Sequence, residues 1–418
     1  SENEKTHIWQ EENWQEYNSE FLEILRSTQQ KYKAPKLNGL PHFTGGLVGF
    51  LGYESISWVE DIPIYNQDEL QCPDALFMLF HEVIAFDHLQ NQIILFSNVQ
   101  IENGMDLEKA YADANLRIDE MGEDLHTDID YQTPAQLEQS KLHSNFTQTK
   151  FEDAVQKAKE HIKAGDIFQL VLSQRFRRQT SVDPLTMYRA LRSINPSPYM
   201  FHLKLNDFDI IGASPELLVK VEDDEIEIRP IAGTRQRGDN AEADKDLADD
   251  LLKDEKERAE HLMLVDLGRN DVGRAAEFDS VNVKEFMVVE YYSHVMHIVS
   301  DVRGKLREGK DIFDALYSGF PAGTLTGAPK IRAMEIIHDL ESSRRGVYSG
   351  AIGYFDFTGD MNTCIAIRTM VMKDGTVYFQ SGAGIVYDSD PEKEFEETVN
   401  KAKAINAAID LAENGLVE

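Results

Sequence analysis

The sequence predicts an α+β fold, with antiparallel β-sheets in a sandwich-like core flanked by helices. Three observations carry this. Runs of strands are separated by helices without the regular strand–helix–strand alternation that builds parallel sheets. The dipeptide Asp374-Gly375 between two apolar runs is a strong hairpin signal. Apolar residues make up 42% of the 418, enough for a sizeable core.

In chain order, residues 6–33 read as one or two helices, with Phe21, Leu22, Leu25 and Tyr32 at helical spacing. A stretch punctuated by Pro35, Gly39 and Pro41 leads into the glycine-rich block GGLVGFLGYE (45–54), which suits close backbone packing near strands. Segments 75–86 and 92–98 read as a strand pair around a polar turn. The polar residues 120–146, with Thr133-Pro134, are the best linker candidate, so an N-terminal region 1–140 and a catalytic domain 141–418 are expected. Thr149 and Glu152 fit a capping box before a helix with Phe151, Val155, Ala158 and Ile162 on one face, ended by Gly165. Strands are expected over 167–176, 209–221 and 225–230, and an acidic helix over about 243–266. Strands at 349–357, 363–373 and 376–386 and a helix over 391–412 close the chain.

The chain carries 42 Lys+Arg against 74 Asp+Glu, a net charge of −32. Nothing in it supplies a basic footprint for nucleic acid or an anionic membrane. Cys72 and Cys364 are too few for a disulfide framework, and no Cys/His spacing suggests zinc. The apolar runs are too short to span a bilayer, and Ser1 to Lys5 show neither a signal segment nor an initiator Met. A cytoplasmic enzyme, whose chain begins inside a longer parent, is the expectation.

Several groupings could carry chemistry. Glu257 and Glu260 lie three apart on the acidic helix; Glu394 and Glu397 repeat the spacing on the last helix, with Lys401 one turn on. Each pair projects from one helix face, and two such faces together would offer oxygen ligands suited to Mg²⁺. A solvated acidic face is the plainer alternative. Gly319 to Lys330, rich in small residues ahead of a helix, is either an anion site or an ordinary capped turn; it is no Walker loop, because the GK[ST] signature is absent. Arg368 sits in an apolar strand. Facing inward it needs a carboxylate partner, which a substrate could supply; facing outward it is a solvated edge residue. The run Ser381 to Gly384 would let a ligand approach the backbone, or would mark a bend. His294, His297 and Glu216 read on their own as structural polar residues.

Taken together, these segments resemble the chorismate-utilising enzymes, and among them the large synthase subunits that make anthranilate. The likeness runs from about residue 39 to the end through DIFQLVLSQRF (166–176), NPSPYMF (195–201), GASPELL (212–218), RPIAGTRQRG (229–238), ERAEHLMLVDLGRND (257–271), VMHIVSDVRG (295–304), PAGTLTGAPKIRAMEII (321–337), YSGAIGYF (348–355), TCIAIRT (363–369) and GAGIVYDSDPEKEFEETVNKA (382–402). The resemblance implies that Mg²⁺, held by Glu257, Glu260, Glu394 and Glu397 with Lys401 beside them, grips the ring carboxylate of chorismate. It implies that Tyr348, Arg368 and the backbone at Gly384 hold the enolpyruvyl carboxylate, while Thr324 and Gly233 line the ring end. Ammonia then adds at C2 as the C4 hydroxyl leaves. Glu216 matches the acid that protonates this leaving group, and His297 the histidine linked to loss of pyruvate.

Two positions separate the relatives. Isochorismate and salicylate synthases carry a water-activating lysine where this chain has Gln169, and aminodeoxychorismate synthases carry a ring-attacking lysine where it has Ala232. Neither side chain can act as a base or amine nucleophile, which favours anthranilate as product. An enzyme that stops at an aminated ring (aminodeoxyisochorismate or aminodeoxychorismate) is the alternative within the family. An inactive regulatory subunit is the alternative of another class, and a phosphoryl-transfer enzyme using the 323–330 loop lacks the Walker residues. About 40 residues precede the glycine-rich block, fewer than in the family. The resemblance therefore retains only half of a tryptophan-binding site, at Pro198, Tyr199 and Met200, and implies weak or absent inhibition by tryptophan. Neither cysteine sits in a nucleophile elbow, so a separate glutamine amidotransferase subunit is the expected source of ammonia.

Overall fold

The computed structural model describes residues 5–10, 13–17, 19–63, 68–128, 140–292 and 295–416. His294, Ser1 to Glu4 and the middle of the expected linker (129–139) lie outside the described residues.

Two large sheets form the centre. A seven-stranded sheet contains Gln169–Gln179, Thr376–Ile385, Thr369–Lys373, Asp209–Ser214 and Tyr199–Lys204 in spatial order, with short strands at one edge. A nine-stranded sheet draws Gly46–Leu51 and Ala75–Phe80 together with Ala351–Asp356, Met361–Ile365, Leu217–Glu222, Glu225–Ile228, Val295–Lys305, Ile231–Gln236 and Asn282–Tyr291. The strand pairings among the described residues are antiparallel, as expected for α+β.

The sheets face each other across a core of Phe50, Ile352 and Cys364 from the nine-stranded sheet and Leu203, Ile210 and Val371 from the seven-stranded one. Strand residues alternate between faces, so each sheet has a second apolar face to cover. On the seven-stranded sheet, Phe176, Phe379, Leu170 and Ala383 meet the helices Gln148–Ala164, Pro184–Ile194, Lys330–Leu340 and Pro391–Glu413. On the nine-stranded sheet, Val219, Val302 and Phe355 meet Phe21–Lys31, Glu255–Ala275 and Ile312–Gly319. The architecture is helix, sheet, sheet, helix.

Glycines 45–54 act as expected. A Cβ on Gly49 would lie 2.0 Å from the carbonyl oxygen of Leu76 on the neighbouring strand. The Asp374-Gly375 turn joins its two strands with both residues at positive φ (49° and 70°).

Several elements differ from the sequence reading. Thr6–Gln10 and Asn13–Tyr17 are paired antiparallel strands, not helix, with Trp9 opposite Trp14 and their rings 5.3 Å apart. A cross-strand aromatic pair outweighs a weak helical pattern. Segment 75–80 joins the nine-stranded sheet, and it is Glu82–Asp87 that pairs with Gln92–Ser97. The helix from Gln148 is capped by Thr147, whose hydroxyl accepts from the Lys150 N–H, so no box forms at Thr149. The single acidic helix is two, Ala241–Lys253 and Glu255–Ala275, because the Asp254 carboxylate caps the second through the N–H groups of Lys256 and Glu257.

Candidate active site

The chain passes between the sheets twice at one place. Asp209–Ser214 belongs to the seven-stranded sheet and Leu217–Glu222 to the nine-stranded one; Glu216 lies in the link. Met361–Ile365 and Thr369–Lys373 make the same passage in reverse, with Arg368 in the link at φ 49°. The links are tied by backbone bonds: the Ala213 N–H donates to the Arg368 carbonyl (3.1 Å) and the Ile365 N–H to the Glu216 carbonyl (3.0 Å).

Arg368 is therefore not a strand residue, and neither branch of the sequence reading describes it. Solvent reaches its side chain. Yet protein surrounds it closely enough that lost hydration pulls its pKa below the usual value, with Glu216 opposing. Among the described residues no carboxylate lies within 4 Å of it, so its guanidinium fork is available to a ligand.

Glu216 is half-buried, and its Oε1 accepts a hydrogen bond from the Thr324 hydroxyl (3.0 Å). Burial pushes its pKa up to about 7, against the contrary pull of the Thr324 hydrogen bond, Arg368 and Lys401. A carboxyl half-protonated near neutrality can give a proton. Thr324 sits in a 3₁₀ turn, Gly323–Leu325, while Gly327 and Ala328 pair with the strand of Gln169. The loop is thus more than a helix preamble. Lys330 is tied to Asp271 (2.9 Å), away from any phosphate-binding role.

His297 lies on the strand Val295–Lys305 opposite Thr234, where a bulge at Gly233 (φ 72°) breaks the register. Its Nδ1 is 3.0 Å from the Gly233 carbonyl, and a carbonyl only accepts, so Nδ1 carries the proton. Burial lowers the ring's pKa, which favours the neutral form, and among the described residues no hydrogen bond engages its Nε2.

The four glutamates are brought near one another but not into a cage. They occupy the first two turns of Glu255–Ala275 and Pro391–Glu413. Loss of hydration raises the pKa of Glu260, and the neighbouring charges of Glu257 and Glu397 raise it further. Glu394 is raised by burial and by Glu397. A negative field that favours protonation equally favours a cation, and carboxylate oxygens are the donor type Mg²⁺ takes, so the residues fit that ion chemically. Among the described residues, however, no three His, Cys, Asp or Glu side chains stand close enough to hold a metal. Arg235 draws Glu257 (3.5 Å) and Lys401 pairs with Glu397 (2.8 Å), which separates the carboxylates.

Lys401 also donates to the Gly382 carbonyl (3.0 Å), linking this acidic edge to the glycine strand. A Cβ on Gly382 would lie 2.9 Å from the Tyr348 hydroxyl, and one on Gly384 would lie 3.3 Å from Gln169 Nε2. The run 381–385 is strand, not a bend. Gln169 is buried, and among the described residues its Oε1 has no hydrogen-bond partner. Gly233 reaches the acids directly, since its Cβ would lie 3.2 Å from Glu257 Oε2. Tyr199 and Met200 lie on the edge strand next to Asp209–Ser214, opposite Ser214 and Ala213, while Pro198 precedes the strand. Both cysteines are free and buried, and burial pushes Cys72 up to about 11 and Cys364 to about 12. Neither is an activated thiolate. Among the described residues no helix is long and apolar enough to cross a membrane.

The fold is α+β, and at the junction of its two sheets Arg368 lies within electrostatic reach of both Glu216 and His297. Residues 1–407 match the family model of the chorismate binding enzymes. Anthranilate synthase component 1 of Aquifex aeolicus is 50% identical over 91% of this chain and 77% of its own length, and that of Cereibacter sphaeroides 48% over 94% and 79%. The structure of anthranilate synthase component I from Streptococcus pneumoniae superposes with a TM-score of 0.85 at 39% identity, covering 96% of this chain and 89% of that one. The menaquinone-specific isochorismate synthase of Escherichia coli shares the fold at a TM-score of 0.70 and 18% identity. The chain belongs to the chorismate-binding enzymes.

Proposed function

We infer that the chain is a lyase that converts chorismate and ammonia to anthranilate, pyruvate and water, the committed chemistry of tryptophan formation. The observation that carries this is the 48–50% identity to anthranilate synthase component 1 proteins across at least nine-tenths of the chain. At the site, Ala232 offers no amine to attack the ring, and Gln169 offers no base to activate water in place of ammonia.

Arg368, Tyr348 and the backbone at Gly384 hold the enolpyruvyl carboxylate, and Thr324 and Gly233 border the ring. Glu216, protonated near neutral pH, gives its proton to the departing C4 hydroxyl, which leaves as water. Nε2 of His297 then takes the C2 proton as pyruvate departs, the Nδ1–H being fixed on the Gly233 carbonyl. Glu257, Glu260, Glu394 and Glu397 would hold Mg²⁺, with Lys401 at their edge. When bound, the ion neutralises and anchors the ring carboxylate. That these relatives are named component 1 supports a separate glutamine amidotransferase as the ammonia source, and a biosynthetic role of this kind supports a cytoplasmic setting.

The test is direct. The purified chain, given chorismate, Mg²⁺ and an ammonium salt, is expected to release anthranilate and pyruvate in equal amounts, and glutamine is expected not to replace ammonium. Isochorismate, or an aminated ring that accumulates without pyruvate, would overturn the assignment.

A further inference from the structure

Arg345 is among the largest fully buried side chains, 1% exposed, and the chemistry described so far does not use it. All five of its guanidinium N–H groups are engaged. Nε donates to Glu341 Oε2 (2.9 Å); one terminal nitrogen donates to the Leu325 carbonyl (2.7 Å) and Ser349 Oγ (3.3 Å); the other donates to the Val171 carbonyl (2.8 Å) and Glu341 Oε1 (2.7 Å). The plane lies against two phenol rings, 4.8 Å from Tyr53 and 5.7 Å from Tyr348. Its own N–H and that of Gly346 are held by the two oxygens of Glu54, at 2.7 and 2.9 Å.

A fork that merely neutralised Glu341 would not need the two carbonyls. Those carbonyls come from separate parts of the site. Leu325 follows Thr324, whose hydroxyl meets Glu216. Val171 pairs with Gly384 across the sheet, and its N–H goes to the Thr326 carbonyl (2.8 Å). Tyr348 and Ser349 are adjacent residues at the third.

We propose that Arg345 is a positioning residue that sets the Thr324 turn, the strand opposite Gly384 and the Tyr348 ring in one register, and so aims Glu216 and the carboxylate-binding end at a single substrate. This rests on the reading of the site under Proposed function. A lysine has three donors on one point, so it must give up at least two of the five hydrogen bonds while keeping the charge.

The test is Arg345→Lys, read by chorismate KM, by the pH profile of kcat/KM and by thermal melting. KM is expected to rise about tenfold or more, as binding groups lose their register. Glu216 is faced by Thr324, Arg368 and Lys401, and Tyr292 feels its charge. The Thr324 bond favours its ionised form, so loosening it should move the alkaline limb to higher pH. Thr324→Val should move the limb the same way, and the double variant should move it no further than Thr324→Val alone. A lowered melting temperature with KM and limb unchanged overturns the proposal, as do limb shifts that add. Should Arg345→Lys not fold, Glu54→Gln, which removes one of the two oxygens gripping this turn, is measured with the same outcomes. If the wild-type enzyme has no alkaline limb that Glu216→Gln removes, the acid assignment itself fails, and Arg345 is judged on KM alone.

Discussion

Glu216 and Arg368 occupy adjacent links between the two sheets, joined through the Ala213 N–H to the Arg368 carbonyl and the Ile365 N–H to the Glu216 carbonyl. The two links are thus tied through backbone, and among the described residues the two side chains make no ion pair with each other. Glu216 keeps its hydrogen bond from the Thr324 hydroxyl. Had they paired directly, Glu216 would be driven to its ionised form and Arg368 would be consumed. The geometry keeps one protonatable and the other unpaired.

A pH dependence follows with a definite sign. Glu216 is needed protonated, so kcat/KM should fall as pH rises through about 7, the value to which burial raises it in the free enzyme. His297 is needed neutral, and its pKa is lowered, so the acidic limb should lie below the usual histidine value of 6.5. The expected profile is a bell. Glu216→Gln should cost roughly 10²-fold or more in turnover and abolish the alkaline limb. Anthranilate fluorescence against pH measures both; near-normal turnover removes Glu216 from the role.

Arg368→Gln separates binding from chemistry. Losing a charge-assisted fork to a carboxylate costs about 1.5–3 kcal/mol, so chorismate KM should rise roughly 10- to 150-fold. Arg368 also depresses His297, so in this variant the acidic limb should move to higher pH. A KM unchanged within twofold would mean the guanidinium does not touch the substrate.

What the sequence disclosed, and what it hid, has a physical pattern. Local signals were legible: the Asp374-Gly375 hairpin, the Gly165 helix stop and the i,i+3 glutamates all express geometry within a few residues. Antiparallel α+β architecture followed from their sum. Arg368 was misread because a strand that leaves one sheet for another keeps its apolar pattern through the bend. The helix break at Asp254 was hidden because an acid in an acidic helix looks like any other until its carboxylate is seen capping. Arg345 was missed because its partners include the carbonyls of Leu325 and Val171, and carbonyls carry no residue type. The Glu341/Arg345 spacing was the one available hint. The placing of the glutamates on two helices was legible, but their separation was not, since it depends on Arg235 and Lys401.

Chelation gives a test of the acidic edge. Removal of divalent ions with excess EDTA should abolish anthranilate formation, and Mg²⁺ should restore it. Glu260→Gln should weaken Mg²⁺ binding, measured by calorimetry in the presence of chorismate, by about tenfold or more, as expected for loss of one charged ligand. Retention of full activity in EDTA would remove the metal from the mechanism.

The glycine strand offers a steric test of where the carboxylate-binding end lies. In Gly382→Ala the new methyl would meet the Tyr348 hydroxyl at 2.9 Å, the Leu172 carbonyl at 3.0 Å and Val171 Cγ1 at 3.0 Å. Two of these are parts of packed elements that cannot retreat far, so the phenol must move. Overpacking of this kind costs about 1–3 kcal/mol in stability. If Tyr348 holds the enolpyruvyl carboxylate, chorismate KM should rise in Gly382→Ala by about as much as in Tyr348→Phe, and the double variant should be little worse than either. Melting temperature reports the stability cost separately. A variant that loses stability while keeping its KM would place the carboxylate away from Tyr348.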